Sequence, residues 1–140
     1  MAGITLLGLG PGDPAQLTRQ AWQLLESISE ITLRTRRHPV VDGFPPGLLV
    51  YSFDDLYENG DTFESVYAQI VEQVLILGKR SQGVVYGVPG HPYVAEATAP
   101  EIARRAREAG IPVRVVDGLS FLEPTFAALE VDPLPSTVLL

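Results

Sequence analysis

Apolar residues recur along this 140-residue chain with two alternating periods. Residues 4–8 (ITLLG), 30–35 (EITLRT), 48–53 (LLVYSF), 83–88 (GVVYGV) and 112–116 (PVRVV) are short runs rich in aliphatic and β-branched side chains, and each predicts a strand. The fourth run is apolar at successive positions, as a central strand covered on both faces requires. Between the runs the spacing becomes helical. Leu17, Ala21, Leu24, Leu25 and Ile28 share one face and predict a helix from Ala15 or Thr18 to Ile28, with Trp22 beside that face as a packing residue. Phe63, Val66, Tyr67, Ile70, Val71, Val74, Leu75 and Leu77 make the longest amphipathic pattern, up to Gly78. Asp61 with Glu64 three residues on gives a capping-box signature, with Asp61 as N-cap. Residues 93–109 read mostly as helix, with Ile102, Ala103, Ala106 and Ala109 buried and Gly110 just past the end. Pro100 must then sit in a first turn or make a kink. Residues 121–129 predict a last helix, and residues 137–140 begin a further strand. Residues 39–47 read as a loop, and residues 54–61 as an acidic, turn-prone stretch. Strands alternating with helices in this order predict an α/β fold: one mostly parallel sheet with helices on both faces.

Composition narrows the function classes. The chain is 46% hydrophobic and 19% charged, enough apolar content for one core. Its net charge of −7 argues against general nucleic-acid binding. It has no cysteine and only two histidines, His38 and His91, so thiolate sites are excluded and no metal site is expected. It shows no signal-peptide pattern and no apolar run of membrane-spanning length, so no membrane partner and a cytoplasmic setting are expected. The sequence stops inside an apolar strand pattern at Leu140, which reads as a fragment of a longer protein. An apolar terminus of that kind favours self-association, with a homodimer as one form.

The chemistry-bearing stretches are the turns after predicted strands. Residues 8–14 (GLGPGDP) follow the first, residues 89–92 (PGHP) the fourth, and residues 117–120 (DGLS) the fifth. Such turns bring backbone N–H groups to the carboxyl edge of a parallel sheet, where small-molecule ligands bind. Gly8 and Gly10 begin a dinucleotide fingerprint, but Asp13 stands at its third glycine, and no Gly-Lys-Ser/Thr phosphate loop is present. The glycines alone are equally compatible with a purely structural turn. The basic cluster Arg34, Arg36, Arg37 and His38 is either a solvated loop or a patch for carboxylates or phosphates. A 2′-phosphate site built on those arginines is a weaker reading, opposed by the glycine pattern.

Taken together, G-L-G-P-G-D-P-x-x-L-T, Y-G-V-P-G-H-P-Y-V-A-E and V-V-D-G-L-S-F resemble the three successive motifs of the tetrapyrrole (corrin/porphyrin) methylase family. With R-T-R-R-H-P-V-V and S-F-D-D-L-Y-E, the chain looks closest to the methylase-like domain fused to MazG-type nucleotide pyrophosphohydrolases. The resemblance covers nearly all of residues 1–140. It implies the family's N-terminal α/β domain, with a second domain beyond Leu140, and S-adenosylmethionine as cofactor for methyl transfer to a small molecule. It implies that Pro11, Pro89, Gly90, His91, Val94, Ser120 and Phe121 contact the cofactor, without metal and without an assigned catalytic residue. His91 stands where the family has an acidic residue and Pro89 where it has glycine, and His91 is also suited to satisfying local backbone. The porphyrinogen methylases carry an acidic residue after strand two where this chain has Arg34–His38, which leaves the methyl acceptor open. Half of a two-domain cleft should be inactive alone. The alternative is a non-catalytic or regulatory module of a MazG-type pyrophosphohydrolase.

Overall fold

A computed structural model describes residues 2–60 and 62–134. Five parallel strands form one sheet: β1 (Ile4–Gly8), β2 (Glu30–Leu33), β3 (Leu49–Ser52), β4 (Val84–Val88) and β5 (Val113–Val116), in the spatial order β3-β2-β4-β1-β5. The apolar run β4 is the central strand; β1 runs beside it in register from Ile4 opposite Val84 to Gly8 opposite Val88. Alternate side chains of β1 serve two cores. Ile4 and Leu6 join Val84, Tyr86 and Val88 of β4 on one face, while Leu7, and Leu9 just past the strand, join Ile31 and Leu33 of β2 on the other.

Helices cover both faces. α1 (Arg19–Ser27) buries Ala21 and Leu25 against the second core, with Trp22 packed at its edge. α3 (Phe63–Gly78) and α4 (Thr98–Glu108) cover the first core. The helical period of α3 has its physical reason here: Val66, Ile70, Val71, Val74 and Leu75 are buried, whereas Phe63 at the helix start is exposed. α5 (Leu122–Leu129) buries no residue.

Several expectations need correction. β2 stops at Leu33, not Thr35, because the Thr35 hydroxyl and the Arg36 N–H turn to the Asp54 carboxylate. Residues 54–59 are not a loop but a helix, α2 (Asp54–Asn59), whose first-turn Asp54 and Asp55 suit the positive end of the helix dipole. Within the proline-rich stretch 39–47, Pro39–Gly43 forms a 3-10 turn capped by His38. α4 begins at Thr98; residues 93–97 are loop, with Ala95 in the left-handed region at φ 50°. Pro100 therefore sits in the first turn of α4, as its missing N–H demands. Ala109, expected in the core, is exposed one residue past the helix. α3 is capped by Thr62, whose hydroxyl accepts from the Ser65 N–H at 3.1 Å; Asp61 lies outside the described residues. So does the strand expected over residues 137–140. No helix among the described residues is long and apolar enough to cross a membrane.

Candidate functional site

Because the strands are parallel, the loops after β1, β2, β4 and β5 all leave the same edge of the sheet. Three glycines let them meet there. A methyl group on Gly118 would lie 2.3 Å from the Gly90 carbonyl oxygen and 2.8 Å from the Gly8 carbonyl carbon, and one on Gly8 would lie 2.6 Å from the Gly118 nitrogen. The three loops thus touch backbone to backbone, with room only for hydrogen. Gly10 and Gly90 serve a second purpose. At φ 75° and 70° they exchange two hydrogen bonds: the Gly10 N–H donates to the Gly90 carbonyl at 3.1 Å, and the Gly90 N–H to the Gly10 carbonyl at 2.8 Å.

Beside this junction opens a cleft of about 200 Å³. Of the residues singled out in the sequence, Pro11, Pro89, Gly90, Val94, Ser120 and Phe121 line it together, with Gly10 and Ala95. Ser120 is 2% exposed, and its N–H and hydroxyl both donate to the Glu123 carboxylate while its oxygen accepts the Leu122 N–H, fixing the start of α5. His91 does not line the cleft. Its Nδ1 accepts the Tyr93 N–H at 3.0 Å, which leaves the proton on Nε2, 2.8 Å from Asp117 Oδ1. His91 therefore ties the loop after β4 to the loop after β5. A larger groove of about 470 Å³ runs between α2 and α3, but none of the loop glycines reaches it.

The cleft also contains two residues to which the resemblance assigned no cofactor contact, Arg34 and His38. His38 Nδ1 accepts the Val40 N–H at 3.3 Å, so Nε2–H donates to the Gly10 carbonyl at 3.0 Å. That carbonyl takes two donors, one from His38 and one from Gly90, and its lone pairs are filled. Burial pushes the imidazole pKa below its ordinary value, the nearby Arg34 charge adds to this, and the bond to Gly10 opposes both. His38 is held toward its neutral form.

Arg34 anchors its loop by donating its N–H to the Gly87 carbonyl at 3.0 Å, and its Nη1 lies 2.9 Å from Glu96 Oε1. The Glu96 side chain is 2% exposed, and it also accepts from the Thr98 hydroxyl at 3.0 Å. Thr98 in turn meets the Tyr86 hydroxyl at 2.8 Å. Burial alone would lower the Arg34 pKa, but the Glu96 carboxylate outweighs it and keeps the guanidinium firmly charged. The left-handed Ala95 is the turn that folds Glu96 inward; a non-glycine residue there costs about 1–3 kcal/mol, offset by the buried pair it makes. Arg34 and Glu96 together leave that wall of the cleft without net charge. Arg34 and Glu96 each stand in a stretch that carries the resemblance, but nothing in the sequence pairs them across the 62 residues between them.

Comparison with known proteins identifies the family and the fold. The family described as Tetrapyrrole (Corrin/Porphyrin) Methylases matches residues 3–136. The uncharacterized protein YabN of Bacillus subtilis (strain 168) is 41% identical over 136 residues, covering 96% of this chain and 28% of its own length. Uroporphyrin-III-C-methyltransferase from Thermus thermophilus superposes with a TM-score of 0.65 at 27% identity, covering 94% of this chain and 55% of its own. A structure of the T. thermophilus enzyme complexed with S-adenyl homocysteine has a TM-score of 0.59 at 23% identity, covering 88% and 51%, and shares the fold. This chain thus spans little more than a quarter of the Bacillus relative and about half of each solved chain.

Proposed function

This chain belongs to the tetrapyrrole (corrin/porphyrin) methylase family, and from that premise we propose that it forms half of the cofactor cleft of an S-adenosylmethionine-dependent methyltransferase. The observation that carries the reading is the glycine junction, which draws three distant loops around one cleft lined by Pro11, Pro89, Gly90, Val94, Ser120 and Phe121. A T. thermophilus relative of the same fold is described in complex with S-adenyl homocysteine.

The lining suits such a cofactor. Small and apolar residues permit close approach, and a cationic sulfonium meets no net positive charge, since Glu96 neutralises Arg34 and His38 is held toward neutrality. When bound, S-adenosylmethionine supplies an already activated methyl group, so the protein's contribution is alignment. Here that contribution is rigidity: His38 and Gly90 fix the Gly10 carbonyl, and His91 with Asp117 fixes the other two loops.

At about 200 Å³ the cleft is smaller than the roughly 300–1,000 Å³ typical of small-molecule pockets. Phe121, Leu129, Val131 and Leu134 are each more than half exposed on or beside α5. Both observations support a second domain that closes the cleft over α5, consistent with the greater length of the relatives; this chain alone would then be inactive. A cytoplasmic setting and a small-molecule acceptor go with this reading.

A second reading keeps the fold without the chemistry: a regulatory module of a MazG-type nucleoside triphosphate pyrophosphohydrolase. It is favoured by His91, which stands at an acidic position of the family motif and is engaged with Asp117 rather than the cleft. Titration calorimetry of the full-length protein with S-adenosylhomocysteine separates the two. Saturable binding that is abolished by Val94→Arg supports the methyltransferase. No binding to the wild type overturns it.

A further inference from the structure

Arg34 borders two clefts. One is the cofactor cleft; the other, of about 270 Å³, is lined by Arg34 with Thr35, Arg37, Asp54, Tyr57 and Tyr67. Its aromatic side is ordered by ring contacts. Tyr57 meets Tyr67 edge-on with centroids 6.5 Å apart, and Phe63 stacks on Tyr67 at 6.1 Å.

The hydrogen-bonding capacity of this second cleft is lopsided. Its Asp54 and Thr35 acceptors are engaged. Asp54 takes donors from the Thr35 hydroxyl at 2.6 Å, the Arg36 N–H at 2.9 Å and the Ser52 hydroxyl at 3.0 Å, and Thr35 Oγ1 accepts the Arg37 N–H at 3.0 Å. Burial would raise the Asp54 pKa, but these bonds and the Arg37 charge hold it below its ordinary value, so it stays an ionised, fully engaged anchor. The donors are not spent. Arg34 uses only Nη1, toward Glu96, which is not part of the lining. Arg37 uses only Nη2 of its guanidinium, toward Glu58, in a pair whose side chains are 75% and 55% exposed. A pair that open to water contributes little and is readily exchanged. Among the described residues neither the Tyr57 nor the Tyr67 hydroxyl has a hydrogen-bond partner. Spare guanidinium donors beside π faces ask for oxygen acceptors on a flat carbon frame.

We propose that this second cleft binds a single planar ring carrying a carboxylate, as the docking point of the methyl acceptor beside the cofactor cleft. Its role as an acceptor site rests on the methyltransferase reading; the binding itself does not. The space takes one ring and its acid group, whereas a four-ring macrocycle would have to lie outside it.

The test is a titration of the full-length protein with salicylate and with salicylamide, which keeps the ring and loses the charge, read by ligand-observed NMR. Salicylamide should bind about tenfold more weakly than salicylate, the share of one charge-assisted contact. Arg37→Gln should weaken salicylate about tenfold and leave salicylamide unchanged, and Tyr67→Leu should weaken both. Equal binding of the two probes, indifference to Arg37→Gln, or no salicylate binding overturns the proposal. A parallel titration with S-adenosylhomocysteine separates the two failures. Arg37-dependent salicylate binding without cofactor binding sinks the methyltransferase reading and keeps the site. Cofactor binding without salicylate binding does the reverse.

Discussion

Replacing Gly118 by alanine puts the loop junction to a direct test. The added methyl would sit 2.3 Å from the Gly90 oxygen, 2.8 Å from the Gly8 carbonyl carbon and 2.9 Å from the Gly8 Cα. All three are backbone atoms, so no side chain can rotate away. Ordinary contact begins near 3.4 Å, and the loops after β1, β4 and β5 must part by about 1 Å. Overpacking of this kind costs about 1–3 kcal/mol. Parting the loops also stretches the paired Gly10–Gly90 hydrogen bonds, each contributing about 1 kcal/mol. The expected loss is about 3–5 kcal/mol in urea unfolding, with cofactor binding reduced more than tenfold because the cleft wall moves. Gly110→Ala is the matched control. Gly110 lies at φ 74° with nothing within 4 Å, so alanine there meets only backbone strain of about 1–2 kcal/mol and should leave binding intact. If Gly118→Ala unfolds and binds like Gly110→Ala, the loops do not depend on this contact and the reasoning fails.

Three other perturbations follow from the cleft walls. His38 has a folded pKa below the ordinary 6.5, so its contribution to stability is complete above that value and is lost as pH falls through the folded value; urea midpoints should decline below about pH 6.5, and His38→Gln should flatten that decline. Glu96→Gln leaves Arg34 uncompensated in a half-buried site, and should cost about 2–3 kcal/mol by urea unfolding while weakening S-adenosylhomocysteine less than the cationic S-adenosylmethionine. Tyr86→Phe removes one buried hydroxyl that meets Thr98, and should cost about 1 kcal/mol in the same assay with cofactor affinity unchanged.

The sheet was readable because its signals are local. The apolar run 84–88 announces a strand covered on both faces, and the period of Val66, Ile70 and Val74 announces the face that covers it. What escaped was decided by partners far away in the chain. Residues 93–97 have helical composition, yet Glu96 is drawn inward to Arg34, and the left-handed turn at Ala95 that achieves this breaks the helix. Strand β2 ends early because, after a last ladder bond from the Arg34 N–H to the Gly87 carbonyl, the Thr35 hydroxyl and the Arg36 N–H both turn to Asp54. The motif resemblance gathered six residues onto one cleft but not His91, whose partner Asp117 lies 26 residues on. His38 was visible in a basic cluster and in the stretch R-T-R-R-H-P-V-V, but its role was not, because a bond to the Gly10 carbonyl leaves no mark on spacing or composition.

The most direct measurement is a map of backbone amide shifts as S-adenosylhomocysteine is titrated into isotopically labelled full-length protein. The largest changes are expected at Gly10, Gly90, Val94 and Ser120, the amides around the cleft. Changes concentrated at the opposite edge of the sheet, around Gln82, Val85 and Arg114, would contradict this.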